Sequence, residues 1–211
     1  FISLLFTSFG DKARKVNNPQ EYLRSQLGDI KKVINSCIDE NARATLTQLY
    51  DSGGHLNPVR YASYYGKQVT VLCYKVKEDE PCYNMMFTEE DIVDQLRAEL
   101  EESIPECVDQ RLDLFRSQDY TLSLGEFQME EPIFSQRDLA LNINYPVTLT
   151  RGEVQQKHED YLVAIDSNFL NTMKKISEII LGVNSLSIEE QEKEFEKLEK
   201  KVHEREVREG L

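Results

Sequence analysis

The chain of 211 residues is 40% apolar and 30% charged, the composition of a folded domain with a heavily charged surface, long enough for one medium domain and an appendage. Its 38 acids against 25 bases leave a net charge of -13, which argues against a nucleic-acid binder and against attraction to anionic lipid, since both need basic surface. No run reaches the roughly 18–20 apolar residues of a membrane span.

At the N-terminus Phe1–Phe9 is apolar and is followed by Gly10 and the bases Lys12, Arg14 and Lys15. An apolar stretch ending in a basic cluster is expected to be the end of a membrane anchor meeting water, with a short packed helix as the alternative. A signal peptide would carry its charges on the other side. Asn17-Asn18-Pro19 breaks the chain, so residues 1–16 are set apart from a domain over 17–184. From Glu21 to Tyr50 the apolar positions Leu23, Leu27, Ile30, Ile34, Cys37, Ile38, Ala42, Leu46 and Leu49 recur at three- and four-residue steps. This spacing predicts an amphipathic helix, interrupted or strained near Gly28. It should stop at Gly53-Gly54, which supply the left-handed backbone of a helix end. Val59–Tyr65 and Gln68–Lys75, joined at Gly66, predict a β-hairpin, with Tyr83–Phe87 as a short third strand.

Thr88-Glu-Glu-Asp91 resembles a capping box. Ile92, Leu96 and Leu100 then predict a helix to Ser103, and Pro105 opens a second one with Val108, Leu112 and Phe115 on one face. The alternation of Tyr120, Leu122 and Leu124 slips to Phe127 and Met129, as a bulge at Gly125 would require. Leu139, Leu141, Ile143, Tyr145, Val147 and Leu149 form the cleanest alternation in the chain and predict a half-buried antiparallel strand, with Pro146 marking an edge or a bulge. After Arg151-Gly152, Tyr161, Val163 and Ile165 predict the return strand. Asp166 is placed to cap a helix whose Phe169, Leu170, Met173, Ile176, Ile179, Ile180 and Val183 form a face wide enough to lie on a sheet.

Beyond it, residues 188–209 are almost all Glu, Lys and Arg, with Ile188, Phe195, Leu198 and Val202 at near-heptad steps. Residues 185–211 are therefore expected to form a charged helical arm whose thin stripe leans on another surface and mediates interaction. The order of elements predicts an α+β fold: an antiparallel sheet with helices packed on one face, plus a charged C-terminal helix.

The chemistry-bearing motifs are absent. There is no phosphate-cradling G-x-x-x-x-G-K or G-x-G-x-x-G, no G-x-S-x-G and no H-E-x-x-H. His158-Glu159-Asp160 offers one imidazole and two carboxylates to a metal, with His158 and Asp160 on one strand face, but no second histidine is placed to complete the set. The acid-rich run from Glu78 to Asp113 lacks the ligand order of a calcium loop and is expected to be a solvated helix face. Gly53–Pro58 is either a ligand loop or a helix stop. Tyr50, Tyr61, Tyr64, Tyr65 and Tyr74 are either an aromatic binding surface or cross-strand packing. The four cysteines, Cys37, Cys73, Cys82 and Cys107, allow three pairings. Cys73 and Cys82 bracket a polar turn, and strands on either side would bring their sulfurs together. A zinc site lacks the usual close Cys spacing, and buried free thiols are the plain alternative.

Four segments, Val33–Asp39, Leu49–Leu56, Leu100–Cys107 and Ile143–Thr150, together resemble a group of uncharacterised archaeal exported proteins with a single N-terminal membrane helix, sometimes preceded by a pilin-like signal. The resemblance spans roughly residues 30–183. It implies that Cys37 pairs with Cys107 and that Phe1–Phe9 is the tail of the anchor. It brings no catalytic residues, and Cys73 and Cys82 lie outside its pattern. The expectation is a non-enzymatic, membrane-anchored cell-surface protein without cofactor or metal. Its exported, disulfide-bonded domain would self-assemble or contact other cell-surface proteins. The alternative is an extracytoplasmic ligand-binding or sensor domain using the tyrosine hairpin; an enzyme with a dispersed site comes third.

Overall fold

The computed structural model describes residues 18–75, 77, 83–84, 87–116, 119–135 and 137–184. The expected anchor over 1–16 and the charged arm over 185–211 lie outside the described residues.

Helix α1 runs from Pro19 to Asp51. The Asn18 side chain accepts from the Glu21 amide at 3.2 Å, and Pro19 sits at the helix start, where its missing N–H costs nothing. The helix is continuous through Gly28, so of the interruption or strain expected there the interruption is absent. A mid-helix glycine costs about 1 kcal/mol, and the buried row of Leu23, Leu27, Ile30, Ile34, Cys37, Ile38, Ala42, Leu46 and Leu49 outweighs it. At the C-terminus the Gly54 amide donates to the Leu49 carbonyl at 2.7 Å and the Gly53 amide to Tyr50 at 3.2 Å. These paired bonds need positive φ, which Gly53 (72°) and Gly54 (99°) supply.

The predicted hairpin is present as β1 (Tyr61–Tyr64) and β2 (Lys67–Thr70), turning at Tyr65-Gly66. Strands β3 (Cys73–Tyr74) and β4 (Tyr83–Asn84) pair as a second small ribbon. Helix α2 then spans Glu89–Arg116 as one element, not the expected two. It opens on the capping box: Thr88 N donates to Asp91 Oδ2 at 2.7 Å, and Asp91 N to Thr88 Oγ1 at 3.1 Å. Pro105 lies inside the helix and removes one hydrogen bond, to the carbonyl of Glu101 on the solvent side. Leu100 and Ile104 before it, and Val108 and Leu112 after it, are all fully buried, and that shared face carries the helix through.

Strand β8 (Asp138–Arg151) organises the sheet. Along one side runs β9 (Val154–Asp166); along the other lie β5 (Thr121–Leu124), β6 (Gln128–Met129) and β7 (Ile133–Phe134), all antiparallel to β8. The three short strands are one extended stretch interrupted twice. Leu124 pairs with Val147, Gln128 with Asn144 and Ile133 with Ala140, so each interruption adds one residue to the outer strand. The first interruption begins at Gly125, as expected. Its amide donates to the Pro146 carbonyl at 2.7 Å, and a Cβ there would sit 2.8 Å from Pro146. Pro146 lies in the central strand at a bulge: Tyr145 and Pro146 oppose Glu159 alone between the Asn144–Asp160 and Val147–His158 pairs.

Leu139, Leu141, Ile143, Tyr145, Val147 and Leu149 all face inward and are buried. Helix α1 covers β9 and β8, and α2 packs beside it over β5 and β6. Both helices lie on one face, which gives the expected α+β architecture.

Helix α3 (Phe169–Asn184) differs from expectation in two respects. Asp166 is the last residue of β9, and the hydroxyl of Ser167 accepts from the Phe169 amide at 3.2 Å in its place. Nor does α3 lie along the sheet. Its first turns enter the core through Phe169 and Met173, with the Phe169 ring 4.8 Å from Tyr50 and 6.2 Å from Phe134. The covered face of the sheet is already occupied by α1 and α2. The side chains of Leu170, Ile179, Ile180 and Val183 lie outside the described set.

Candidate functional site

The cysteines map onto the seam between the two long helices. Cys37 of α1 and Cys107 of α2 are joined in a disulfide, with Cα atoms 5.8 Å apart. Cys37 is fully buried. One turn along each helix, Arg111 Nη1 reaches Glu40 Oε1 at 3.1 Å, and Ser36 Oγ donates to the same oxygen at 2.6 Å. The guanidinium, then the hydroxyl, holds the Glu40 carboxyl down at about 2. Covalent bond and ion pair thus clamp α1 to α2 at adjacent levels. Cys73 is disulfide-bonded too; Cys82, its expected partner, lies outside the described residues. So do the interaction stripe Ile188, Phe195, Leu198 and Val202 and the acids Glu78, Asp79 and Glu80.

The His158-Glu159-Asp160 trio does not converge. The bulge at Tyr145-Pro146, opposite Glu159, reverses the phase of β9, so His158 and Asp160 do not share a face as expected. His158 turns inward, its ring 4.9 Å from that of Tyr161, while exposed Asp160 accepts from Asn144 Nδ2 at 2.8 Å on the opposite face. Glu159 pairs with Lys157. Among the described residues no three His, Cys, Asp or Glu side chains are grouped to hold a metal.

Burial pushes the hydroxyls of Tyr145 and Tyr161 up and lowers the affinity of His158 for a proton, with Lys31 adding to the latter. All three groups are held neutral, and the Tyr161 hydroxyl is buried with no hydrogen-bond partner among the described residues. Tyr145 and Tyr161 thus resist forming a phenolate, whereas the neutral imidazole of His158 is the form that accepts a proton.

Gly53–Pro58 is a structural joint. Gln95 of α2 accepts from the Leu56 amide at 2.9 Å and donates to the Gly54 carbonyl at 3.3 Å. Thr70 of β2 donates to the Ser52 carbonyl from both its amide and its hydroxyl, at 2.8 and 2.6 Å. Gly54 is covered so closely by Phe87 that a Cβ would lie 2.1 Å from the ring.

The tyrosines divide into two groups. Tyr50 packs on Phe169, and Tyr74 stacks on Tyr83 at 5.5 Å with the Arg60 guanidinium 4.2 Å from the Tyr74 ring centre. Tyr61, Tyr64 and Tyr65 stand exposed on the hairpin, Tyr65 most of all; Tyr50 and Tyr83 are exposed in part despite their ring contacts. All four residues of β1 are exposed.

Two features escaped the sequence reading. A polar cleft of about 630 Å³ opens beside β6, lined by residues including Arg97, Gln128, Glu130, Asn142, Asn144 and Asp160. Its side chains are largely engaged with one another: Asn142 donates to Glu130 at 2.7 Å, and Arg97 pairs with Glu101 at 2.8 Å. No local motif marks such a cleft, because it is assembled from three strands and a helix. The second feature was visible in the sequence: from Ser52 to Lys77 there is not one acid, although the chain carries a net charge of -13.

Comparisons with protein-family models, with curated proteins and with solved structures found nothing that matches this chain.

Proposed function

We propose that this chain is the exported part of a membrane-anchored cell-surface protein that is not an enzyme and works by contacting partners or by self-assembly. The observation that carries the reading is the Cys37–Cys107 disulfide at the centre of the helix pair. Disulfides of this kind form and persist in oxidising compartments, and reducing cytosols keep such thiols apart. The exposed hairpin offers a surface for such contacts. In this reading Phe1–Phe9 is the end of the anchor, and the stripe Ile188, Phe195, Leu198 and Val202 is a contact site. The test is labelling of intact cells with a membrane-impermeant amine reagent. The protein should be labelled without lysis and should migrate with membranes. Labelling only after lysis overturns the proposal.

The polar cleft beside β6 favours a second reading, an extracytoplasmic domain that binds a small polar ligand. A rise in thermal midpoint on addition of sugars, amino acids or organic acids would favour it over the first.

A further inference from the structure

The charge of this molecule is segregated. The hairpin end, from Ser52 to Lys77, holds Arg60, Lys67, Lys75 and Lys77 and no acid, with Lys67 paired to Asp51 at the end of α1. The outward side of α2 carries exposed Glu99, Glu102 and Glu106 at three- and four-residue steps, and none of them forms an ion pair with another described residue. The two patches are apart. Gln95 holds the hairpin loop near the start of α2, and along the helix axis Glu99 lies about 6 Å further, Glu102 about 10 Å and Glu106 about 17 Å.

The hairpin is also built to present aromatic rings. Val59 is 95% exposed and Tyr65 90%. Tyr65 has φ 47° and is followed by Gly66 at 79°, the two positive angles of a tight hairpin turn. Asparagine suits the first of these positions, and a bulky aromatic residue is a conformational outlier there. The fold keeps a tyrosine at the tip against local preference, edge-on to Tyr64 at 4.5 Å. Exposed tyrosines beside arginine are the side chains that dominate protein interfaces.

We infer that the basic, tyrosine-bearing hairpin of one copy docks on the acidic face of α2 in a second copy of this chain. Charge complementarity selects that occupant: the acids that match the hairpin are on the chain itself, and Glu102 and Glu106 lie well along α2 from the point where its own hairpin is held. The patches are different surfaces, so each copy offers one and accepts one, the geometry that builds rows or rings. The inference rests on the self-assembling form of the reading above. A chain that associates but is labelled only after lysis leaves this inference standing. A chain labelled on intact cells that never associates leaves the cell-surface reading standing.

The experiment uses the purified full chain with its disulfides intact, followed by light scattering across a concentration series at about 0.02 M and 0.5 M salt. Association is expected at low salt and should weaken at high salt. Tyr65→Asn should weaken it at least about tenfold without lowering the thermal midpoint, because Asn-Gly is a favoured turn pair. The double variants Arg60→Glu/Lys75→Glu and Glu102→Lys/Glu106→Lys should each fail to associate alone and should associate when mixed. A monomer at every concentration overturns the inference. So does association untouched by Tyr65→Asn, association lost only on deleting 187–211, or a monomer that binds anionic vesicles through the hairpin.

Discussion

The helix–sheet body and the hairpin end are held together by different means. In the body, α1, α2 and the inner face of β8 interlock through fully buried aliphatic side chains, and a disulfide and an ion pair tie the helices across their seam. At the hairpin end every residue of β1 is exposed, and what holds the ribbon in place is a handful of specific bonds: Thr70 on Ser52, Gln95 on Leu56 and Gly54, Lys67 on Asp51. Burial is cooperative and insensitive to detail, whereas a joint made of a few hydrogen bonds opens locally when one is lost. The body is therefore the source of global stability, and the hairpin end is free to be shaped by what it meets.

The largest test of this contrast is removal of the Cys37–Cys107 bond. The residues are 70 apart, and chain entropy puts its contribution at about 4 kcal/mol. Cys37→Ala/Cys107→Ala should lower denaturant-derived stability by that amount. A loss far smaller would mean that packing alone defines the helix seam. Next comes the two-sidedness of β8. Ile143 is fully buried while its neighbour Asn142 is exposed, so Ile143→Ala should cost about 3 kcal/mol and Asn142→Ala less than about 1 by urea unfolding. Equal costs would contradict the register.

Gly54→Ala addresses the joint. The substitution meets both a φ of 99° and the Phe87 ring, so about 1–3 kcal/mol of strain is expected. Hydrogen exchange should quicken at β1 and β2 and stay slow at β8; a uniform quickening would show that the two regions unfold as one.

The smallest effect is a pH dependence confined to the body. Partial burial, aided by Lys31, lowers the folded-state pKa of His158, and Asp160 and Glu159 oppose the shift. As pH falls below about 6.5 the unfolded chain takes up this proton first, so stability falls until the folded imidazole titrates as well. His158→Gln should flatten the thermal midpoint against pH over that window.

Much of the body was legible because its signals are periodic. The nine apolar positions of α1 and the six of β8 are all buried, and Thr45 is the one buried residue of α1 outside that set. Local chemistry was legible too: the capping box at Thr88, the glycine stop after α1 and the slip at Gly125 all recur in the structure. What failed did so where long-range packing overrules local preference. Pro105 and Gly28 are breakers by propensity, yet each lies in a helix whose neighbouring residues are buried by distant partners. The separation of His158 from Asp160 depends on one bulge residue, and a single extra residue reverses every face beyond it. Even so, the inward set Val154, Gln156 and His158 changing to Tyr161, Val163 and Ile165 is a parity slip written in the sequence.

The bond between Cys37 and Cys107 has a topological effect as well. It closes the backbone between those residues into a covalent loop, and β1 to β4 all lie within it. A single cut by a protease anywhere in the exposed hairpin opens the loop without dividing the molecule, since both new ends stay attached through the sulfurs. The molecule can thus expose a bare ribbon to its surroundings and survive being nicked there, with α1 and α2 still joined. Such a cut is silent on a non-reducing gel and splits the chain in two only when thiol is added.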